Sequence, residues 1–321
     1  MLPLSDDNVV SHVRSRISTQ SIALDRLLGG GIPTGRVTEI YGPEGVGKSA
    51  LADHLIAETQ KTDGYACLAD TEQSRDMRFT QTIGVDIDAL DVTQFKRDHQ
   101  TVENVFEFLA DSIDFWAVKH PSKRVLFVWD SVAGTSTKDE LKGNVSESHG
   151  ARPAQMLKRG MRRIVPKLAG TNIAIVLLNH QYQSMGGFGY GPKPLRTYGG
   201  KGIAYLATLR LRMFRMGQIK DSQGVARGFK IGVKAEKIKT NEQWDSVAEL
   251  GVMHGVGVDN VWSIYEAFKA EGIITTGGGG SAMQFEGEDS FRWQGGWLGL
   301  GALCRESTDL FGKLVRVYQA L

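Results

Sequence analysis

Cysteine is nearly absent: the 321 residues hold only Cys67 and Cys304, far apart and with no C-x-x-C pairing. Such a chain has neither a disulfide framework nor a cysteine zinc site, and its thiols suit a reducing cytoplasm, the expected location. Cys67 lies in an apolar run and reads as a small buried hydrophobe. No stretch approaches the roughly 18 consecutive apolar residues of a membrane helix, so no membrane partner is expected. The opening MLPLSDDNVVSHV has no basic region followed by an apolar core, and no signal peptide is expected there. Charge of one sign is lacking too, since 38 Lys and Arg against 36 Asp and Glu leave a net charge of +2. The whole-molecule field therefore decides nothing about nucleic acid, and any DNA site must come from local clusters of cations.

What is present alternates between two periods. Gly35–Tyr41, Tyr65–Ala69, Val125–Trp129 and Ile173–Leu178 read as apolar strands. Between them, helical spacing runs over Ser49–Lys61, with Leu51, His54, Leu55 and Ile56 mostly on one face, and over Val102–Ala117 and Met156–Leu168. Strands that are apolar throughout and alternate with helices predict a mainly parallel central sheet covered by helices on both faces, an α/β fold. Thr208–Phe214 and Gly228–Ile238 have no helix between them, so the sheet is expected to finish antiparallel. From residue 259 a helix, the glycine-rich Gly277–Gly280 and short aromatic segments predict a small C-terminal α/β domain. The expected division is a short N-terminal segment, 1–16, with a turn or two of helix after Ser5, then a core over 17–258 and the C-terminal domain over 259–321.

Gly42-Pro43-Glu44-Gly45-Val46-Gly47-Lys48-Ser49 satisfies G-x-x-x-x-G-K-[ST] in full, between a predicted strand and a predicted helix that begins with Ser49 and Ala50. Backbone N–H groups of a tight glycine turn and a helix N-terminus surround phosphates. Lys48 would reach the β- and γ-phosphates, and Ser49 would coordinate Mg²⁺. Asp130 ends an apolar strand, where a carboxylate faces the ligand crevice and can hold the metal through water. Hydrolysis also needs a group that orients or deprotonates water. Asp70-Thr71-Glu72 follows the second strand directly, and Glu72 is the candidate general base, with Asp70 the alternative. ATP with Mg²⁺ is the expected cofactor pair.

Further motifs follow in order: Ile17–Asp25, Gly35–Glu44, Asp70-Thr71-Glu72, Gly84–Asp88, Asp130–Ala133, Ser148-His149, Met161-Arg162-Arg163, Leu178-Asn179-His180, Gly199-Gly200-Lys201 and Val233–Lys239. The series resembles the bacterial RecA recombinase family over about residues 17 to 300. The resemblance implies a RecA-like P-loop ATPase core and a DNA-dependent ATPase that forms a nucleoprotein filament on single-stranded DNA and exchanges strands with double-stranded DNA. It implies that Glu72 is the catalytic carboxylate and that Asp76 and Phe79 contact adenine, Phe79 by stacking. Lys237 and Lys239 match the pair that reaches the ATP of a neighbouring subunit. His180 stands where the family usually has a glutamine that senses the γ-phosphate.

The two DNA loops implied by the resemblance cover roughly residues 138–151 and 181–201. The second holds six glycines, four aromatics and the cations Lys193, Arg196 and Lys201, a composition that suits phosphates and bases of a single strand. Arg162 matches a family DNA contact on a basic helix face with Lys158, Arg159 and Arg163. Gly199 and Gly200 complete the set. The N-terminal segment is shorter than the one with which the family docks onto its neighbour, and the family's acidic C-terminal tail is missing, which is expected to favour DNA access. The alternative to a filament-forming recombinase is a non-filamenting ATPase that acts as a regulatory or DNA-binding module. A ring helicase is a weaker third reading, because no arginine finger is evident.

His180 generates a direct test. An imidazole is titratable near neutral pH and shorter than a glutamine, yet can still donate a hydrogen bond. His180→Ala should leave ATP binding and DNA binding intact but remove the effect of one on the other. Single-stranded DNA affinity with and without an ATP analogue, at fixed salt, reads this out; coupling equal to wild type would make His180 a packing residue.

Overall fold

A computed structural model describes residues 13–92, 100–142, 152–183, 195–240, 246–278, 280–285 and 290–321. A short ribbon of β1 (Arg16–Ile17) and β2 (Ile32–Pro33) brackets helix α1 (Ile22–Leu28). The main sheet then begins with β3 (Arg36–Gly42) and continues through β4 (Tyr65–Asp70), β5 (Val125–Asp130) and β6 (Ile173–Gln183). Between these strands run α2 (Lys48–Lys61), α3 (Met77–Ile83), α4 (Val102–Lys119), the short α5 (Lys138–Lys142) and α6 (Arg152–Leu168). After β7 (Leu195–Thr197) and α7 (Lys201–Leu206) come β8 (Leu209–Lys220), β9 (Ala226–Ile238), β10 (Val247–Met253) and β11 (Gly257–Asp259). The strand order is β11-β10-β9-β8-β3-β6-β5-β4, with β7 paired to β6. Strands β8, β3, β6, β5 and β4 are mutually parallel, and β9 to β11 finish the sheet antiparallel, as the sequence predicts.

The apolar character of the parallel strands follows from burial on both faces. Along β5, Leu126 and Val128 enter one core with Leu55 and Ile56 of α2, while Val125, Phe127 and Trp129 enter the other with Phe106 of α4 and Met161 of α6. Each side chain of this size contributes roughly 1.5–3 kcal/mol when fully buried. The predicted strands and helices therefore appear where the periodicity puts them, but with longer ends. The helix predicted from Met156 starts at Arg152, and the strand predicted to stop at Leu178 runs to Gln183. Helix α2 differs in kind. It is enclosed nearly all round, so Asp53 is buried as well as the face of Leu51, His54, Leu55 and Ile56.

The C-terminal segment carries α8 (Asn260–Ala270), the three-stranded antiparallel sheet β12 (Thr275–Gly277), β13 (Gly280–Met283) and β14 (Phe291–Gln294), and helices α9 (Gly296–Glu306) and α10 (Thr308–Ala320). Its Ile264, Phe268, Leu300 and Leu314 join the same hydrophobic cluster as the α2 face of the main sheet.

A buried histidine ties this segment to the phosphate-loop helix. His54 Nε2 accepts a hydrogen bond from Val258 N–H at 2.9 Å, which leaves Nδ1 to donate to Gln20 Oε1 at 2.8 Å. Asn260 continues the joint, donating to Gln20 O at 2.7 Å and accepting from Ile22 N–H at 3.0 Å. Burial lowers the His54 pKa to about 4. The folded state thus binds fewer protons than the unfolded chain between about pH 6.5 and 4, and stability falls as pH drops through that window. The His54 contribution should reach on the order of 3 kcal/mol. The difference in urea midpoint between pH 7 and pH 4 should be smaller in His54→Gln than in wild type; equal differences would remove His54 as the cause.

Candidate nucleotide site

Parallel strands share one carboxyl edge, and the register brings the sequence motifs together there. Gly42 of β3 pairs with His180 of β6, and Asp70 of β4 pairs with Asp130 of β5. The phosphate loop leaves β3 and enters α2, with Gly45 and Gly47 at positive φ of 65° and 93°, a backbone conformation natural to glycine. A cavity of about 730 Å³ opens at this edge, lined by Gly45, Gly47, Lys48, Ser49, Ala50, Glu44, Glu72, Phe79, Asp130 and His180, with Ser74, Ala133 and Gly134 on its walls. Pro43 is exposed at the head of the loop, and Val46 is buried beneath it.

Within the cavity the polar groups are paired. Lys48 Nζ donates to the carbonyls of Pro43 at 2.9 Å and Gly42 at 3.2 Å. Burial lowers the Lys48 pKa, and the carboxylates of Asp130, Glu72 and Glu44 act against that shift. Ser49 Oγ donates to Asp130 Oδ2 at 2.8 Å, so two hard oxygen donors stand together. Arg75 Nη2 donates to the same carboxylate oxygen at 2.8 Å.

The two acidic residues differ in their surroundings. Asp70 Oδ1 accepts from Gln73 N–H at 2.8 Å and is engaged in its own loop. Glu72 Oε1 accepts from Ser131 Oγ and lies 2.7 Å from His180 Nε2. Partial burial acts to raise the Glu72 pKa, but the hydrogen bonds from Ser131 and His180 and the charge of Lys48 outweigh it, and the carboxyl sits below its ordinary value. A carboxylate held ionised in this way is a good acceptor for orienting water. Gly134 gives it room, because a Cβ there would lie 2.9 Å from Glu72 Cγ. His180 is itself placed by Asn179, whose Oδ1 accepts from His180 N–H at 2.9 Å while its Nδ2 donates to Glu39 at 2.9 Å and Tyr198 O at 3.0 Å.

With this geometry the family question is settled by comparison. A family model, RecA N-terminal domain, matches residues 1–259. Protein RecA of Chlorobaculum parvum is 36% identical over 279 residues, covering 87% of this chain and 76% of that protein. Protein RecA of Aquifex pyrophilus is 33% identical over 263 residues, covering 82% of this chain and 72% of its own length. The chain belongs to the RecA family. Its fold is the α/β fold of that family, and nucleotide binding comes with it. No helix among the described residues is long and apolar enough to cross a membrane.

The remaining residues of the RecA resemblance lie at different distances from the cavity. Phe79 lines it, and Asp76 caps α3 beneath Phe79, its Oδ1 accepting from Arg78 N–H at 2.9 Å. Lys237 is on β9, where its Nζ donates to Ala204 O at 2.8 Å and Tyr205 O at 2.9 Å; Lys239 is exposed two residues further on. Arg162 is exposed on α6 with Lys158, Arg159 and Arg163. At the stem of the segment 181–201, expected from the resemblance to be a DNA loop, a β-ribbon sets Gln181 opposite Thr197 and Tyr182 opposite Arg196, and both Tyr182 and Arg196 are exposed. Lys193 and most of the first loop lie outside the described residues. Gly199 is buried against α6, where a Cβ would come within 2.6 Å of Leu157 Cδ1, and its φ of 80° also favours glycine at that position. Gly200 caps α7, and Lys201 begins it, exposed.

Sequence reasoning did not find Ser131, Asn179, Arg75 or Asp53. Ser131 and Asn179 each adjoin a motif residue, a signal that adjacency could have supplied; Arg75 and Asp53 carried none. Glu72→Gln should retain nucleotide affinity and lower turnover by on the order of 10²-fold or more. Asp70→Asn should change turnover little. Steady-state hydrolysis beside equilibrium nucleotide binding checks both, and a stalled Asp70→Asn with an active Glu72→Gln would reverse the assignment.

Proposed function

We propose that this chain is an ATP-dependent DNA recombinase that binds single-stranded DNA, assembles with copies of itself into a nucleoprotein filament, and pairs and exchanges strands with homologous double-stranded DNA. The observation that carries the reading is the pair Glu72 and His180. One end of the pair faces the phosphate loop, and the other begins the β6 extension that leads into the DNA loop. A contact of that kind converts the occupancy of one site into a change at the other.

Ser49 and Asp130 fit Mg²⁺, which prefers a few hard oxygen ligands and shares the rest of its shell with phosphates. When bound, Mg²⁺ neutralises charge on the transferring phosphoryl group. Lys48 exchanges its loop carbonyls for phosphate oxygens, Phe79 and Asp76 contact adenine, and Glu72 orients the attacking water. His180 reports the γ-phosphate to residues 181–201, where Arg196, Lys201, Lys193, Gly199 and Gly200, with Arg162 on α6, meet the DNA backbone and bases. Lys237 and Lys239 complete a neighbour's ATP site and stabilise transition-state charge only in the filament. Residues 17–258 form the ATPase core and 259–321 a small C-terminal domain, and the protein works in the cytoplasm.

One observation favours the alternative of a non-filamenting module: Lys237 is engaged by carbonyls of its own chain. Mixing separates the two readings. Lys237→Ala/Lys239→Ala protein should bind ATP almost normally and lose roughly 10²-fold of DNA-stimulated hydrolysis. Adding Glu72→Gln protein should restore part of it, since each variant supplies what the other lacks at mixed interfaces. Full activity of the double-alanine protein alone would exclude a shared site.

A further inference from the structure

Beneath the nucleotide cavity a guanidinium bridges two carboxylates. Arg75 belongs to the loop between Glu72 and Asp76, yet its side chain is only 4% exposed. Its Nη2 donates to Asp130 Oδ2 at 2.8 Å, the oxygen that also accepts from Ser49 Oγ, and its Nη1 donates to Asp53 Oδ1 on α2. Asp53 Oδ2 accepts from Thr80 Oγ1 at 2.9 Å, on the helix that carries Phe79. The Nε of Arg75 has no partner among the described residues. A buried donor left unsatisfied costs free energy, so this guanidinium is retained for its charge and its two-pronged fork.

We propose that Arg75 is a positioning residue of the metal site, a built-in counter-cation on Asp130 that sets how much Mg²⁺ the protein needs to close on its nucleotide. The inference rests on Ser49 and Asp130 as the Mg²⁺ pair. Mg²⁺ drawn to Asp130 shares that carboxylate with a fixed positive charge, and in a buried setting neither solvent nor salt screens the repulsion well. Asp53 divides the guanidinium's charge between two anions and so weakens its hold on Asp130. Burial pushes the Asp53 carboxyl above its ordinary value, with Arg75 and Thr80 opposing that shift. Through Thr80 the same bridge joins the adenine end of the cavity to the metal end.

The balance of charges predicts shifts of opposite sign. Asp53→Asn can keep its oxygen on Arg75 and donate instead to the Thr80 hydroxyl, but leaves the whole guanidinium charge to Asp130, so the Mg²⁺ midpoint should rise several-fold. Asp53→Leu/Arg75→Leu replaces a buried ion pair by apolar side chains, a change that proteins often tolerate, and should lower the midpoint roughly tenfold. The measurement is equilibrium binding of a fluorescent ADP analogue to the full-length protein while Mg²⁺ is titrated at constant ionic strength. Affinity in EDTA should be the same for all three proteins. A purely structural bridge would weaken binding in both variants or move neither midpoint, and either result overturns the proposal. If the leucine pair does not fold, an unchanged or lowered midpoint in Asp53→Asn alone overturns it. Wild-type protein that binds no nucleotide at any Mg²⁺ concentration defeats the nucleotide reading itself, and this inference with it.

Discussion

Burial of both faces of the parallel strands is the constraint on which the site depends. A slip of one residue in β5 would exchange Leu126 and Val128 with Phe127 and Trp129 between two cores of different shape, so the register is strongly specified. The pairs Gly42 with His180 and Asp70 with Asp130 are consequences of that register. The sheet thereby delivers a phosphate loop, the Asp130 carboxylate, an acidic loop and a histidine to one edge, although these residues are scattered over 139 positions from Gly42 to His180 as the chain is numbered. Packing far from the chemistry determines the chemistry's geometry.

Charges then occupy places where an uncompensated charge would be prohibitive. Glu39 is fully buried, and it persists because Arg210 Nε donates to it at 2.6 Å and Asn179 Nδ2 at 2.9 Å. Asp53, Arg75 and Asp130 form a second such set. Buried ion pairs are poor sources of net stability, because desolvation offsets much of the attraction. Their value here is positional: Glu39 orients Asn179, which orients His180, and Arg75 orients Asp130.

The elements that connect the site to its surroundings are also held by close packing. Gly160 of α6 faces Phe106 of α4 so tightly that a Cβ would lie 2.1 Å from the ring, which turns the basic residues of α6 outward. Gly199 and Gly202 let the end of the segment 181–201 and α7 approach Leu157 and Lys158 of that same helix. The loop stem, α7 and the basic helix are thus one packed group, and Lys237 joins it through the carbonyls of Ala204 and Tyr205.

Local pattern alone determined the phosphate loop, the run of apolar strands and covering helices, and the antiparallel finish, because each is written in short-range spacing and residue type. It also placed Asp130 at a strand end and pointed to Glu72, with Asp70 the alternative, as the candidate general base. The helices α1, α3 and α7 and strands β10 and β11 were not legible, being short or dependent on partners distant in sequence. Nor was the burial of Asp53, which looks like a polar-face residue until α2 is seen to be enclosed. The surroundings of Glu72 depended on Ser131 and His180, 59 and 108 residues away, arriving beside it. The Arg75 bridge required α2, β5 and the loop before α3 to meet. Hydrogen bonds and ion pairs of this range leave no periodic trace in a sequence, since they depend on how elements pack rather than on what each element is.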